Sequence, residues 1–548
     1  MDEDYKFAPQ EQPTFPGGPY MPAHPPARRL AYAAIGLWIG ATATLANAAV
    51  TVNVTNLSGE YAAYVAELSW LPAIYVAANA CANTLLVKAR AQFSMPNVMR
   101  VLLVVYALVA ALQFFVPAFV PAFVPVFAAQ AVVRFVSGVV AAGMTTTSIF
   151  YLMQALPPKA RPAALVIGLG LVQLGTPLAR LLPVDLLSAQ GWQGQHCIEL
   201  ACALSTLVLI TALPFPPTPR SRIFERRDFV TVALLLPAML LICGVINRGR
   251  LAWWTDTPWL GVALAIAIPL LTAVIVIEAT RERPLINIDW IGTREVLGFA
   301  AIALLMRIAL AEQTYNAVGL LTFGNLDDDQ LRRLFAWVIV AMLAGIVTCV
   351  LTLSPSALPK QVIAACLAIA LGAWMDSHAN NLTRPEQLYL SQALIGFGTC
   401  LFIGPTMAHG MVKVIRLGPA YLVTLIVVFS MTQNVGGLIG SALLGSYQTI
   451  AARSHLQELA ERAPVGDAQT ASRILASTRS LAGTIVDPGL RAQQGGAALA
   501  ASLAREANVM AYNDVARLVW KLALGNALLV AFLVLVSTFW PVRERELA

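Results

Sequence analysis

AVVRFVSGVVAAGMTTTSIFYLM, residues 131–153, and PAALVIGLGLVQLGTPLARLLP, residues 162–183, decide how this chain is read. Each is apolar over the length a helix needs to cross a bilayer, about 20 residues, and only a short basic turn with Lys159 and Arg161 separates them. Arg134 lies inside the first run. A charge at that depth costs roughly 2.5 to 3.5 kcal/mol on insertion scales, so it is expected to face a partner or a watery cavity. The second run spaces Gly168, Gly170 and Gly175 before Pro177. Such glycines let helices approach closely, and the proline frees a backbone carbonyl that protein or water must satisfy. The pair reads as working transmembrane helices rather than a plain anchor.

The rest of the chain agrees. Of 548 residues 58% are hydrophobic and 12% charged, with mean hydropathy +0.70, too little charge to cover a soluble domain of this length. The net charge of +7 does not gather into a patch, so nucleic acid is not the expected partner. Basic residues sit instead at the ends of apolar runs, which sets orientation in a membrane. Seven cysteines without CxxC spacing read as packing residues, with no metal site and no disulfide framework.

Taken in order, a proline-rich tail over residues 1–29 is expected to be disordered and cytoplasmic. Spans near 30–51, 67–88, 99–119, 124–153, 162–184 and 197–214 form a first six-helix bundle over 30–214. The repeat FVPAFVPAFVPVF, with Pro117, Pro121 and Pro125, reads as an external hairpin. Residues 215–294 hold basic linkers and two inserted spans near 229–246 and 258–278. Spans near 295–323, 334–353, 361–375, 386–412, 419–445 and 516–540 complete a second bundle over 295–548, giving about fourteen helices in an all-α polytopic membrane protein. The excess of basic residues on alternate loops places both termini in the cytoplasm and the chain in a cell inner membrane. The segment 452–515, with helix-like runs such as SHLQELAERA, reads as short amphipathic helices in an outer loop that lie on the membrane or against another protein.

The six-plus-two-plus-six layout resembles the fourteen-helix drug:proton antiporters of the major facilitator superfamily, the EmrB/QacA type, over residues 30–540. Arg134-Phe135-Val136-Ser137-Gly138 resembles the RxxQG motif of the fourth helix, with Ser137 in the glutamine position. GLVQLGTPLA, residues 170–179, is similar to the antiporter motif of the fifth helix, although Leu178 and Ala179 replace its final glycines. IEATRERPLINIDWIGTREVLGF, residues 277–299, resembles the eighth-to-ninth helix junction, and QNVGGLIGSALLG, residues 433–445, is similar to the thirteenth helix. Two features depart from the pattern. The first helix offers Asn47 and Asn53 where an acid is common, and VKARAQFSMPN lacks the glycine and aspartate of the loop after the second helix.

The resemblance implies a non-enzymatic carrier without cofactors, driven by the proton gradient, that exports amphiphilic organic compounds by alternating access. It further implies a periplasmic adaptor of the HlyD/EmrA type and an outer-membrane channel as partners. Two other readings stand beside it: a scaffold or sensor that keeps the fold without transport, and a proton-coupled uptake carrier. Proton coupling or relay needs a group that changes charge or answers one that does. The candidates are Arg134, Glu67, Arg307 and Glu312. In ALLMRIALAEQTYN, residues 303–316, Arg307 and Glu312 are five apart and so do not share a helical face. Candidates for the substrate cavity are Trp70, Tyr75, Gln173, Tyr315, Asn316 and Gln392. Gly138, Gly170, Gly175, Pro177, Gly437 and Gly440 are the expected packing and gating positions.

Overall fold

The long apolar runs are all helical in the computed structural model, which describes residues 8, 11–13, 17–61, 63–115, 123–282, 284–324, 326–418, 421–464 and 466–539. No strand occurs among them. Most of the repeat containing Pro117 and Pro121 lies outside the described residues. The first half comprises α1 (Pro26–Thr42), α2 (Leu45–Val52), α3 (Trp70–Phe93), α4 (Met95–Leu112), α5 (Phe123–Ala155), α6 (Arg161–Gln173), α7 (Gly175–Leu181) and α8 (Val184–Ala212). Two inserted helices follow, α9 (Arg226–Gly249) and α10 (Pro258–Ala279). The second half comprises α11 (Arg294–Ala309), α12 (Val318–Phe323), α13 (Asp328–Leu351), α14 (Leu358–Asp376), α15 (Tyr389–Leu417), α16 (Leu422–Glu461), α17 (Ala468–Ser480) and α18 (Pro488–Phe539).

Twelve of the helical spans are long and apolar enough to cross a membrane, and the α6–α7 pair makes a thirteenth if it counts as one bent span. The protein is therefore a multi-pass membrane protein, although the fourteen continuous spans read from the sequence are not all present. The expected span near 295–323 is interrupted: a π-helical turn over Glu312–Ala317 separates α11 from α12. The α6–α7 pair bends by 42°. Pro177 sits in the first turn of α7, and the Thr44 hydroxyl donates to the Val172 carbonyl at the break, 2.8 Å. Gly175 packs directly on Thr44, where a side chain would collide.

Small residues bring the helices together, as expected where lipid supplies no hydrophobic drive between them. Gly138 lies against the Tyr75 carbonyl and Ala78. Across the two halves, Gly170 meets Ile346 and Gly404 meets Val166. The inserted pair α9–α10 packs on α3 through Ala73, Ala77 and Cys81 against Leu235, Met239 and Cys243. All seven cysteines are free, and only Cys197 is exposed.

Three expectations are corrected. Part of the proline-rich tail is ordered packing: Met21 is buried, the Gln154 amide donates to the Tyr20 carbonyl and Arg161 donates to the Met21 carbonyl, 2.8 and 3.0 Å. Lys88 and Arg90 belong to α3 and are buried rather than lying in a loop. Lys88 donates to both carboxylate oxygens of Asp228 at 2.9 Å, and Arg281 binds Asp228, Glu225 and Glu278. Burial works against the Arg281 charge, but these hydrogen bonds outweigh it and hold the guanidinium above its ordinary value. The far oxygen of Glu278 accepts the Leu285 and Ile286 amides, 2.6 and 3.2 Å, which fastens the linker that follows α10.

The third correction concerns residues 452–515. They are mostly continuations of two long helices: α16 and α18, with 40 and 52 residues, are roughly 60 and 78 Å long at 1.5 Å per residue. Both exceed the thickness of about 30 Å of a hydrocarbon core. Their extensions are tied by His455 to Asp514 at 2.6 Å and by Gln448 to Asn508 at 2.8 Å. Gly495 lets α18 close on Thr478 of α17.

Candidate functional site

A cavity of about 310 Å³ lies between the two halves and takes its walls from both. Thr44, Asn47, Tyr75, Asn79, Asn83, Arg90, Phe150 and Gln173 face it from the first half. Arg307, Met407, Ser430, Gln433 and Asn434 face it from the second. Hydrogen bonds cross the boundary at its edge: Asn83 donates to the Ser430 hydroxyl at 2.8 Å and Asn434 to the Asn79 side-chain oxygen at 2.9 Å. Gly437 makes room for the Arg307 guanidinium, whose Nε donates to the Gln433 carbonyl at 2.9 Å. Gly440 brings α16 against Ile308 and Ala311.

Outside the cavity each half holds a buried polar cluster. In the first, Arg134 of α5 pairs with Glu199 of α8, both fully buried. Gln113 donates to the other Glu199 oxygen at 3.1 Å and Gln130 donates to Gln113 at 2.6 Å, so the ion pair is embedded in neutral amides. In the second, Glu312 and Asp376 are buried together. The Gln392 amide nitrogen donates to both, at 3.1 Å to Glu312 and 2.6 Å to Asp376, and the carboxyl groups lie within hydrogen-bonding reach of each other. Asn316 donates to the second oxygen of Glu312, 3.4 Å. Neither acid makes an ion pair with a lysine or arginine among the described residues. The π-turn carries Glu312 and Asn316 toward α14 and α15, and such turns recur at functional positions.

The sequence candidates therefore separate. Tyr75, Gln173 and Arg307 line the cavity. Arg134 faces Glu199 and does not reach it. Glu312, Asn316 and Gln392 form the carboxyl cluster, so Arg307 and Glu312 have different partners, as their spacing implies. Glu67 accepts the Tyr64 amide at 3.0 Å and caps a short helix at the entrance to α3, which leaves it outside the cavity. Trp70 fills the space beside Gly244 and stacks with Trp259 at 5.8 Å. Tyr315 takes a hydrogen bond from Arg250 at 2.8 Å under its guanidinium. Both aromatics thus serve packing. Sequence reasoning missed Glu199, Asp376 and the cavity face of Arg90. The first two were visible as single acids within or at the end of apolar runs.

The sequence matches no protein-family model and no curated protein. Solved structures match in fold. The human organic anion transporter MFSD10 (TETRAN) is 14% identical with a TM-score of 0.52, covering 91% of this chain and 100% of its own. A bacterial homologue of the human drug peptide transporters PepT1 and PepT2 is 12% identical with a TM-score of 0.54, covering 93% and 99%. The proton:xylose symporter XylE, of the major facilitator superfamily, is 13% identical with a TM-score of 0.52, covering 90% and 95%. The chain has the major facilitator fold. Within that fold the cavity lies between the two halves, and α9 and α10 are inserted between them in sequence.

Proposed function

We propose that the protein is a proton-coupled carrier that exports amphiphilic organic compounds by alternating access. The observation that carries this reading is the cavity walled by both halves, because rocking of one half against the other would open it to either side in turn. Polar groups scattered among Phe150, Leu165 and Met407 suit a molecule with an apolar body and a few hydrogen-bonding groups. The Glu312–Asp376 pair suits proton coupling: two acids with no lysine or arginine paired to them among the described residues are neutralised most simply by a proton. The 170–179 motif supports export and the antiporter type. The helical extensions of α16 and α18 supply a surface for an adaptor of the HlyD/EmrA type and, through it, an outer-membrane channel. The loop charges support a cell inner membrane with both termini in the cytoplasm. Uptake is the second reading, favoured by the likeness in fold to a proton:xylose symporter.

Proteoliposomes with an imposed pH gradient test the proposal. Substrate moving against proton flow supports export, and substrate moving with it supports uptake. No flux of any fluorescent amphiphile in either gradient, with flux present in a control carrier, contradicts both.

A further inference from the structure

Of the 28 residues that line the cavity, only Arg90 and Arg307 are charged. Each half contributes one. The buried acids Glu199, Glu312 and Asp376 are all engaged elsewhere, and no carboxylate faces the cavity among the described residues. Arg90 is 4% exposed, lies 5.5 Å from the Phe150 ring centre and makes no hydrogen bond or ion pair among the described residues. Arg307 spends only its Nε on a backbone carbonyl. Neutral polar groups with free capacity line the same cavity: the Tyr75 hydroxyl, the Gln433 amide nitrogen as a donor and the Gln433 side-chain oxygen as an acceptor are buried without a partner. A buried charge without a counter-charge is costly, and a binding site is where such a cost is offset by the ligand.

We infer that the solute carried in this cavity is a soluble organic anion, a carboxylic or sulfonic acid with an apolar body, attracted by the two cavity arginines, Arg90 and Arg307. The inference rests on the proposed reading of the cavity as the transport site and gives that site its substrate class. An anion that meets either arginine would gain charge-assisted hydrogen bonds, the strong kind, while Phe150, Leu165 and Met407 meet its apolar body. A cation of the same shape would meet two like charges and no acid.

Matched probes test this on the full chain in phosphatidylcholine nanodiscs: 2-naphthoate and 2-naphthalenesulfonate against the cationic 2-naphthylmethylammonium, read by tryptophan fluorescence and by ligand-induced thermal stabilisation. At least one anion is expected to bind about tenfold or more tightly than the cation, and Arg307→Gln and Arg90→Gln are each expected to weaken it by about tenfold or more. Arg307→Lys retains most of the affinity, and ligand-free melting shows that each variant is folded. Binding of the cation as tightly as the anions, binding of neither anion, or unchanged affinity in folded Arg307→Gln overturns the inference. Nanodiscs containing phosphatidylglycerol separate the sources of anion. Unchanged affinity supports a soluble acid, and a loss by competition assigns the arginines to a lipid headgroup and overturns the assignment. Flux separates this inference from the function it rests on. Anions that bind but never cross proteoliposomes in any gradient refute transport and leave the anion site standing, whereas gradient-driven flux of the cation alone keeps transport and refutes the anion.

Discussion

The two halves of the molecule bury acids in opposite ways. In the first, Glu199 is neutralised by Arg134, a fixed partner from a neighbouring helix, within a shell of glutamines. In the second, Glu312 and Asp376 face each other and share a glutamine, with no cation beside them among the described residues. A fixed counter-charge yields a permanently neutral structural element. Two adjacent acids are neutral only while they hold protons, so their charge can change as the molecule works. On the proposed reading the first cluster supplies stability and the second handles protons, and the contrast can be broken experimentally.

The largest expected effect is on the fixed pair. Arg134→Met leaves Glu199 buried and unpaired and is expected to cost about 3–5 kcal/mol of stability, read by thermal or denaturant unfolding in detergent. Adding Glu199→Leu should recover much of the loss, because the second change removes the stranded charge. If Arg134→Met melts like the parent, the first cluster is not structural. Glu312→Gln with Asp376→Asn predicts the reverse pattern: folding close to that of the parent, since no counter-charge is stranded, but loss of proton-driven flux in proteoliposomes while substrate exchange without a gradient persists. Retained coupling in that double variant would remove the second cluster from the mechanism.

Smaller effects test how the halves meet. Gly170→Leu places a side chain into Ile346 across the boundary and is expected to cost about 1–3 kcal/mol through overpacking, or to shift the halves apart. Crosslinking between the halves would report either outcome. Arg180 of α7 pairs with Asp328 of α13 at one end of the molecule, partly exposed. Arg180→Gln is expected to change stability by less than about 1 kcal/mol, and to act mainly on the balance between open and closed forms.

How much of this was legible depends on the range of the interaction. Apolar runs, the break at Pro177 and the close approaches at Gly138, Gly170 and Gly437 are local properties, and they appear where the residues suggest. Pairing between helices depends on rotation and register, which no single run encodes, so Arg134 was expected to face a partner or a watery cavity without Glu199 being named as that partner. The π-turn adds a residue to one helical turn after Ala311, which changes the phase of Asn316 relative to Arg307 and hides the link from Glu312 to Asp376. The extensions of α16 and α18 were misread for another reason. Their polar, glycine-containing sequence is a poor isolated helix, and contacts such as His455 with Asp514 that hold it join residues far apart in the chain. Arg90 fell outside the span read near 67–88 because its helix runs past the apolar stretch to Phe93.

Infrared difference spectroscopy on the protein in nanodiscs gives the most direct view of the central contrast. The account predicts a protonated-carboxyl carbonyl band at neutral pH that is lost in Glu312→Gln/Asp376→Asn and unchanged in Glu199→Gln. A spectrum without such a band, or with the band following Glu199, would contradict it.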